Sequence, residues 1–181
     1  MQQRYARRFL GAAGMGFLAA CASSGAFRTD DIPDALRAPA AQLLTQQLRA
    51  KGVQIYQCKP SKEDATRFEW SLVAPEAVLM DKTGKKVAKH YAGPTWEAYD
   101  GSQVVGQLVA RANSPGGDSI PWLLLRAQSN SGRGHFGSVA SIQRLHTAGG
   151  NAPPACSASQ ADQQLRVPYS ADYFFYVGAR S

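Results

Sequence analysis

The residues best suited to chemistry crowd into one stretch, His90 to Ser102, which also holds Tyr91, Thr95, Trp96, Glu97, Tyr99 and Asp100. Gly93-Pro94 and Asp100-Gly101 punctuate it, so the segments around those turns can fold back and bring His90 near Trp96 or Asp100. Two chemistries fit. In the first, Trp96 stacks an apolar or sugar face while His90, Asp100 and Ser102 supply hydrogen bonds, forming a small ligand pocket. In the second, His90 and Asp100 centre a hydrolase-like site that Ser102 or His146 completes. No Gly-x-Ser-x-Gly elbow supports the second, and Asp100-Gly101-Ser102 is ordinary turn sequence. A purely structural use also stands: Trp96 in the core, Asp100 bracing its own turn and His90 a satisfied polar group.

Other chemistries have less to stand on. His90, His135 and His146 are scattered, without His-x-His or H-E-x-x-H spacing, and no cysteine sits in a C-x-x-C pair. No metal and no cofactor is expected. His135, in Gly-Arg-Gly-His, reads as a solvated loop residue. Lys82, Lys85, Lys86 and Lys89 form a basic hairpin. It could meet anionic head groups, or simply discourage strand-to-strand association.

The elements that must position these residues are strands. Around Gly52 the pattern takes a period of two, with Val53 and Ile55 alternating with Gln54, Tyr56 and Cys58. Phe68, Trp70 and Leu72 alternate with Glu69 and Ser71. Residues 77–80 and 85–91 flank Asp81-Lys82-Thr83-Gly84 as a hairpin, and 95–99 and 102–112 flank Asp100-Gly101 as another. Residues 120–125 are a nearly continuous apolar run, expected as a strand buried on both faces with Pro121 at its start. Residues 136–145 and 173–177 are further strands, and 129–134 and 147–154 read as loops. Residues 40–50 fit either one short N-terminal helix or a first strand. The expected fold is all-β: an antiparallel β-sandwich or flattened barrel of eight or nine short strands, with turn residues at regular spacing. Trp70, Trp122, Tyr169, Tyr173 and Tyr176 are expected to fill its interior.

The N-terminus reads as an address. Arg4, Arg7 and Arg8 precede an uncharged apolar stretch, 9–20, too short to span a bilayer. It ends in Leu18-Ala19-Ala20-Cys21, which resembles the lipobox of bacterial lipoproteins. That resemblance implies a signal peptide over 1–20, acylation of Cys21 and attachment to membrane lipid. Ala22 in the next position, where Asp would favour retention at the inner membrane, implies an outer-membrane location facing the periplasm. Residues 21–36 are small, polar and proline-bearing, and read as a lipidated tether, leaving 37–181 as a single domain. Two acyl chains suffice for stable anchoring.

Composition agrees with a folded, exported chain. Its 181 residues are 44% hydrophobic and only 18% charged, which excludes disorder and coiled coil. Loss of the three leader arginines, with no acid lost, takes the formal charge from +7 to +4. That is too mild to argue for nucleic acid. With Cys21 acylated, Cys58 and Cys156 remain as one pair that an oxidising compartment would join; two separate buried thiols are the alternative.

A set of blocks then carries a family resemblance. They include Gly-Val-Gln-Ile-Tyr-Gln-Cys at 52–58, His-Tyr-Ala-Gly-Pro-Thr-Trp-Glu at 90–97 and Asp-Gly-Ser at 100–102. Further along come Ile-Pro-Trp-Leu-Leu-Leu at 120–125, Ala-Pro-Pro-Ala-Cys at 152–156 and Val-Pro-Tyr-Ser-Ala-Asp-Tyr at 167–173. Together they resemble the domain of unknown function 3455 family of secreted and envelope proteins. The resemblance implies one exported domain and carries over no catalytic residue. The expectation for function is a lipid-anchored envelope protein with a small-molecule or glycan ligand or a structural role.

Overall fold

The computed structural model describes residues 32–179. The expectations for the leader 1–20, for Cys21 and for the tether as far as residue 31 lie outside the described residues.

Eight antiparallel strands make up the fold: β1 (Gln42–Pro60), β2 (Phe68–Met80), β3 (Lys86–Tyr91), β4 (Thr95–Ala98), β5 (Gln103–Ala112), β6 (Trp122–Ser131), β7 (Val139–Gly149) and β8 (Gln164–Gly178). Each pairs with its successor, and β8 returns to β1, closing a barrel. The all-β, antiparallel expectation holds in its barrel form, with eight strands. Residues 40–50 resolve to strand: β1 pairs with β8 from Gln42 onward, so Leu48 and Ala50 face inward in phase with Gln54 and Tyr56. The only helical elements among the described residues are 3-10 turns, at Asp34–Leu36 and Ala158–Gln160.

Up-and-down connectivity gives the barrel two distinct ends. Loops β1–β2, β3–β4, β5–β6 and β7–β8 share what we call the upper end; the other three loops share the lower. The lower end is packed solid. Small inward residues (Ala50, Ala77, Ala88, Ala98, Ala171) face large ones (Trp96, Tyr173, Phe175), and Phe136, fully buried in the β6–β7 loop, plugs the bottom. Gly52 lets β1 and β2 approach closely, because a Cβ there would lie 2.0 Å from the Glu76 carbonyl oxygen. The expected 129–134 loop is shorter than its sequence suggests, since β6 runs to Ser131. Phe136 precedes β7, and β7 continues through His146 to Gly149.

A second, smaller apolar cluster lies outside the barrel. Trp122, Leu124, Leu145 and Phe174 project outward, and Ile32 and Leu36 cover them. Gln143 Nε2 donates to the Leu36 carbonyl, fixing this strap. Residues 32–36 thus belong to the barrel body rather than to the tether assigned over 21–36. The strap also explains the 120–125 run: Leu123 and Leu125 pack inward while Trp122 and Leu124 pack beneath it. Trp122 and Tyr176 therefore lie on the outer face, and Trp70 is only half-buried, whereas Tyr169 and Tyr173 fill the interior as expected.

Cys58 and Cys156 form the expected disulfide, with Cα atoms 6.1 Å apart. It ties the β7–β8 connection to the upper end of β1, beside the backbone bonds Cys58 N to Gln163 O and Asp162 N to Cys58 O.

The wall is complete below and interrupted above. β3 and β4 are short, so β2 pairs with β3 only from Ala77 to Met80, and β5 pairs with β4 only from Gln103 to Val105. Gly106 N donating to Pro94 O is the last bond across. Above it a notch separates the upper half of β2 from the upper half of β5, with the Ala92-Gly93-Pro94 turn as its sill.

Candidate functional site

Through the notch the barrel interior opens as a cavity of about 570 Å³. That is the size range of small-molecule sites, which commonly occupy the mouths of β-barrels. Leu72 and Val73 of β2 and Leu108 of β5 flank the entrance; all three side chains are exposed. Inside, Leu123 and Leu125 form an apolar back wall. His90 and Trp96 form the floor with Tyr173.

The floor is set by register. His90 of β3 and Trp96 of β4 are directly paired, and their rings stack at 4.3 Å between centroids and 8° between planes. Tyr173 meets both edge-on, at 5.3 and 5.4 Å. Gly106 makes room for the indole, since a Cβ there would lie 2.9 Å from Trp96 Cζ3.

His90 is held neutral. Burial is the main cause, and the positive Arg144 nearby adds to it, against a hydrogen bond to the Thr95 carbonyl; together they push the imidazole down from 6.5 to about 3. Its Nδ1 lies 2.9 Å from that carbonyl oxygen, an acceptor, so Nδ1 carries the proton and Nε2 keeps the lone pair. The unfolded chain takes up a proton near pH 6.5 that the folded chain refuses until about pH 3. His90 therefore favours the fold above pH 6.5 and progressively less as the pH falls below it. Chemical denaturation at pH 7 and pH 5 should show His90→Phe losing less stability over that interval than wild type, by about 1–2 kcal/mol. An equal loss in both proteins would contradict a buried neutral imidazole.

Asp100 and Ser102 do not join this site. They lie in the β4–β5 turn at the lower end: Trp96 pairs with Val104, while Ser102 faces Ala98 and Asp100 lies beyond the end of β4. There Asp100 Oδ1 accepts from Ser102 N and Ser102 Oγ at 2.9 and 2.5 Å, and Oδ2 accepts from His135 N at 2.9 Å. Ser102 Oγ in turn accepts from Phe136 N. This brace positions the Phe136 plug. Its hydrogen bonds, that from Ser102 foremost, hold the Asp100 carboxyl down at about 2. His146 sits on the outer face, 2.9 Å from Asp172, in the bulge between Leu145 and Ala148. The pocket drawn from His90, Trp96, Asp100 and Ser102 is thus divided: the first pair lines the cavity and the second supports the opposite end. A general base with a value near 3 and no contact with Asp100 or Ser102 does not form the hydrolase geometry.

The cavity also uses Gln54 and Arg144, which sequence reading did not select, and Tyr173, which it placed in the interior without assigning it to the site. A signal existed for Gln54. It shares the inward parity of Leu48, Ala50 and Tyr56, while the more apolar Val53 and Ile55 face outward. A polar residue in inward phase marks a wet interior. Arg144 shares the parity of Ile142 in the same way. Among the described residues no cluster of three His, Cys, Asp or Glu could hold a metal ion.

The residues build a closed antiparallel barrel with a side-opening, aromatic-floored cavity. Residues 39–177 match the model of the family described as "Protein of unknown function (DUF3455)", and the chain belongs to that family. Neither curated proteins nor solved structures give a match to this chain.

Proposed function

We propose that this protein is an exported, lipid-anchored envelope protein whose barrel binds a small ligand on its periplasmic side. The observation that carries the binding reading is the cavity itself: 570 Å³ reached through a notch, floored by stacked His90 and Trp96 and walled by Leu123 and Leu125. A barrel serving only as a scaffold would fill this volume with side chains, as the lower end does. The ligand has an apolar or ring-shaped part that meets the floor. Among the described residues the hydrogen bond His90 makes is to the Thr95 carbonyl, not to a carboxylate or hydroxyl, which favours binding over turnover.

The envelope placement rests on the leader, on Leu18-Ala19-Ala20-Cys21, and on a disulfide that suits an oxidising compartment. Both halves are tested together. A thermal-shift screen of envelope glycans and small metabolites should yield a ligand that raises the wild-type Tm but leaves that of a cavity-filling Leu123→Trp variant unchanged. In cell fractionation, Cys21→Ser should move the protein from the membrane to the soluble periplasmic fraction. A hit equally effective on both proteins would place binding elsewhere, and unchanged fractionation would reject the anchor.

A further inference from the structure

The cavity holds a positive charge for which the described residues supply no counter-charge. Arg144 points inward from β7, and a guanidinium stays charged at any pH a protein meets. Its Nε and Nη2 donate to the Pro121 carbonyl oxygen at 3.2 and 2.8 Å, which fixes the plane of the group without neutralising it. Among the described residues no carboxylate pairs with Arg144, and no Asp or Glu lines the cavity, whereas a second cation, Arg111, does. Elsewhere on the barrel the opposite holds: Arg49 pairs with Asp172 and Arg166 with Glu76.

Two neutral donors in the cavity are short of partners in the same sense. Gln54 Nε2 and Trp96 Nε1 are buried and make no hydrogen bond, and the buried Tyr173 hydroxyl lies within reach of Arg144 and of the Tyr169 hydroxyl. Gln54 is 2% exposed, and Trp96 and Tyr173 are 1% exposed. All three line the cavity. Each of the three can donate, and the buried donors of Gln54 and Trp96 are left unmet, which is unfavourable. Together with the Arg144 charge, these donors suit acceptor oxygens carrying negative charge. Nothing comparable marks the lower-end groove lined by Thr45, Leu48, Arg49, Lys82 and Asp172, where acids and bases are mixed.

The geometry points to a ligand class, and the inference rests on the ligand-binding reading above: the cavity takes an organic carboxylate with an apolar body. Its carboxylate pairs with the Arg144 guanidinium and accepts from Tyr173 and Gln54. A planar pair of oxygens suits a planar fork of N–H donors better than a single point charge does. The body lies over Trp96 and between Leu123 and Leu125, and extends toward Leu72, Val73 and Leu108, where the walls are apolar and the notch leads out. Arg111, at the entrance, draws anions inward.

Isothermal titration of the full chain with decanoate, decanol and acetate tests this. Decanoate should bind at least about tenfold more tightly than decanol, and acetate far more weakly than decanoate. Arg144→Gln should bring decanoate down to the decanol level, while Arg144→Lys keeps part of the difference. Tyr173→Phe should weaken decanoate several-fold and leave decanol unchanged; it keeps the ring packing and decides the matter if Arg144→Gln does not fold. Equal affinity of wild type for decanoate and decanol would overturn the charge selectivity and leave the cavity reading intact. Failure of both to bind folded protein would overturn the two together.

Discussion

Trp96→Ala should melt about 10 °C below wild type and lose all binding in the cavity. The indole is the largest fully buried side chain and touches three partners at once: His90 by stacking, and Tyr173 and Phe175 by their edges. Truncation removes the transfer energy of the ring and leaves a void that the surrounding strands cannot close, together about 3–5 kcal/mol. For a domain of this size that corresponds to roughly 10 °C in Tm. The void opens directly beneath the ligand space, so the floor collapses or floods. Trp96→Phe serves as the control: it keeps an aromatic face, should cost less than half as much, and should bind more weakly rather than not at all. Scanning calorimetry with and without ligand reads both effects. A binding-competent Trp96→Ala protein would show that the floor is not part of the site.

The second large effect concerns the staple. Replacing both Cys58 and Cys156 by Ala should cost about 2–4 kcal/mol, because the bridge closes a loop over a sequence separation of 98 residues. The chain-entropy ceiling for such a loop is about 4.7 kcal/mol, and measured values usually fall below it. The loss should not spread evenly. The bridge and the backbone bonds Cys58 N to Gln163 O and Asp162 N to Cys58 O hold residues 150–163 at the upper end of the barrel. The lower end, plugged by Phe136, does not depend on them. Amide hydrogen exchange should therefore rise first in 150–163 and the adjoining end of β1, with β5 and the lower half of β8 still protected. Uniform acceleration across all strands would mean that the bridge supports the whole barrel.

Much of the wall was legible because period-two alternation and turn dipeptides are local signals. The hairpins at Asp81–Gly84 and Asp100-Gly101 are where the sequence places them. The disulfide was accessible to counting, given a leader that claims Cys21. Barrel closure was not legible, because β1–β8 pairing joins residues more than a hundred positions apart and leaves no local trace. The site was half legible for the same reason. His90 and Trp96 are neighbours across one tight hairpin, so proximity in sequence became proximity in space. Asp100 is equally near in sequence but lies past the end of β4, and a strand carries its residues apart at about 3.3 Å each. Arg144 and Tyr173 reach the cavity from β7 and β8 by way of the whole topology. Trp122, large and apolar, reads in the sequence as interior because such a side chain must be covered; only the fold reveals that residues 32–36 do the covering from outside.

The notch leaves two lengths of backbone without a ladder on one side, the upper parts of β2 and β5, and such backbone can template the growth of fibrils. Both lengths are irregular in the same way. The β1–β2 register skips Val73 and the β5–β6 register skips Val109, and β2 carries Pro75, which has no N–H to offer. A kinked border with a missing donor is a poor seed for an incoming strand. The opening can thus stay wide enough to admit a guest molecule without making the molecule adhesive to its own kind.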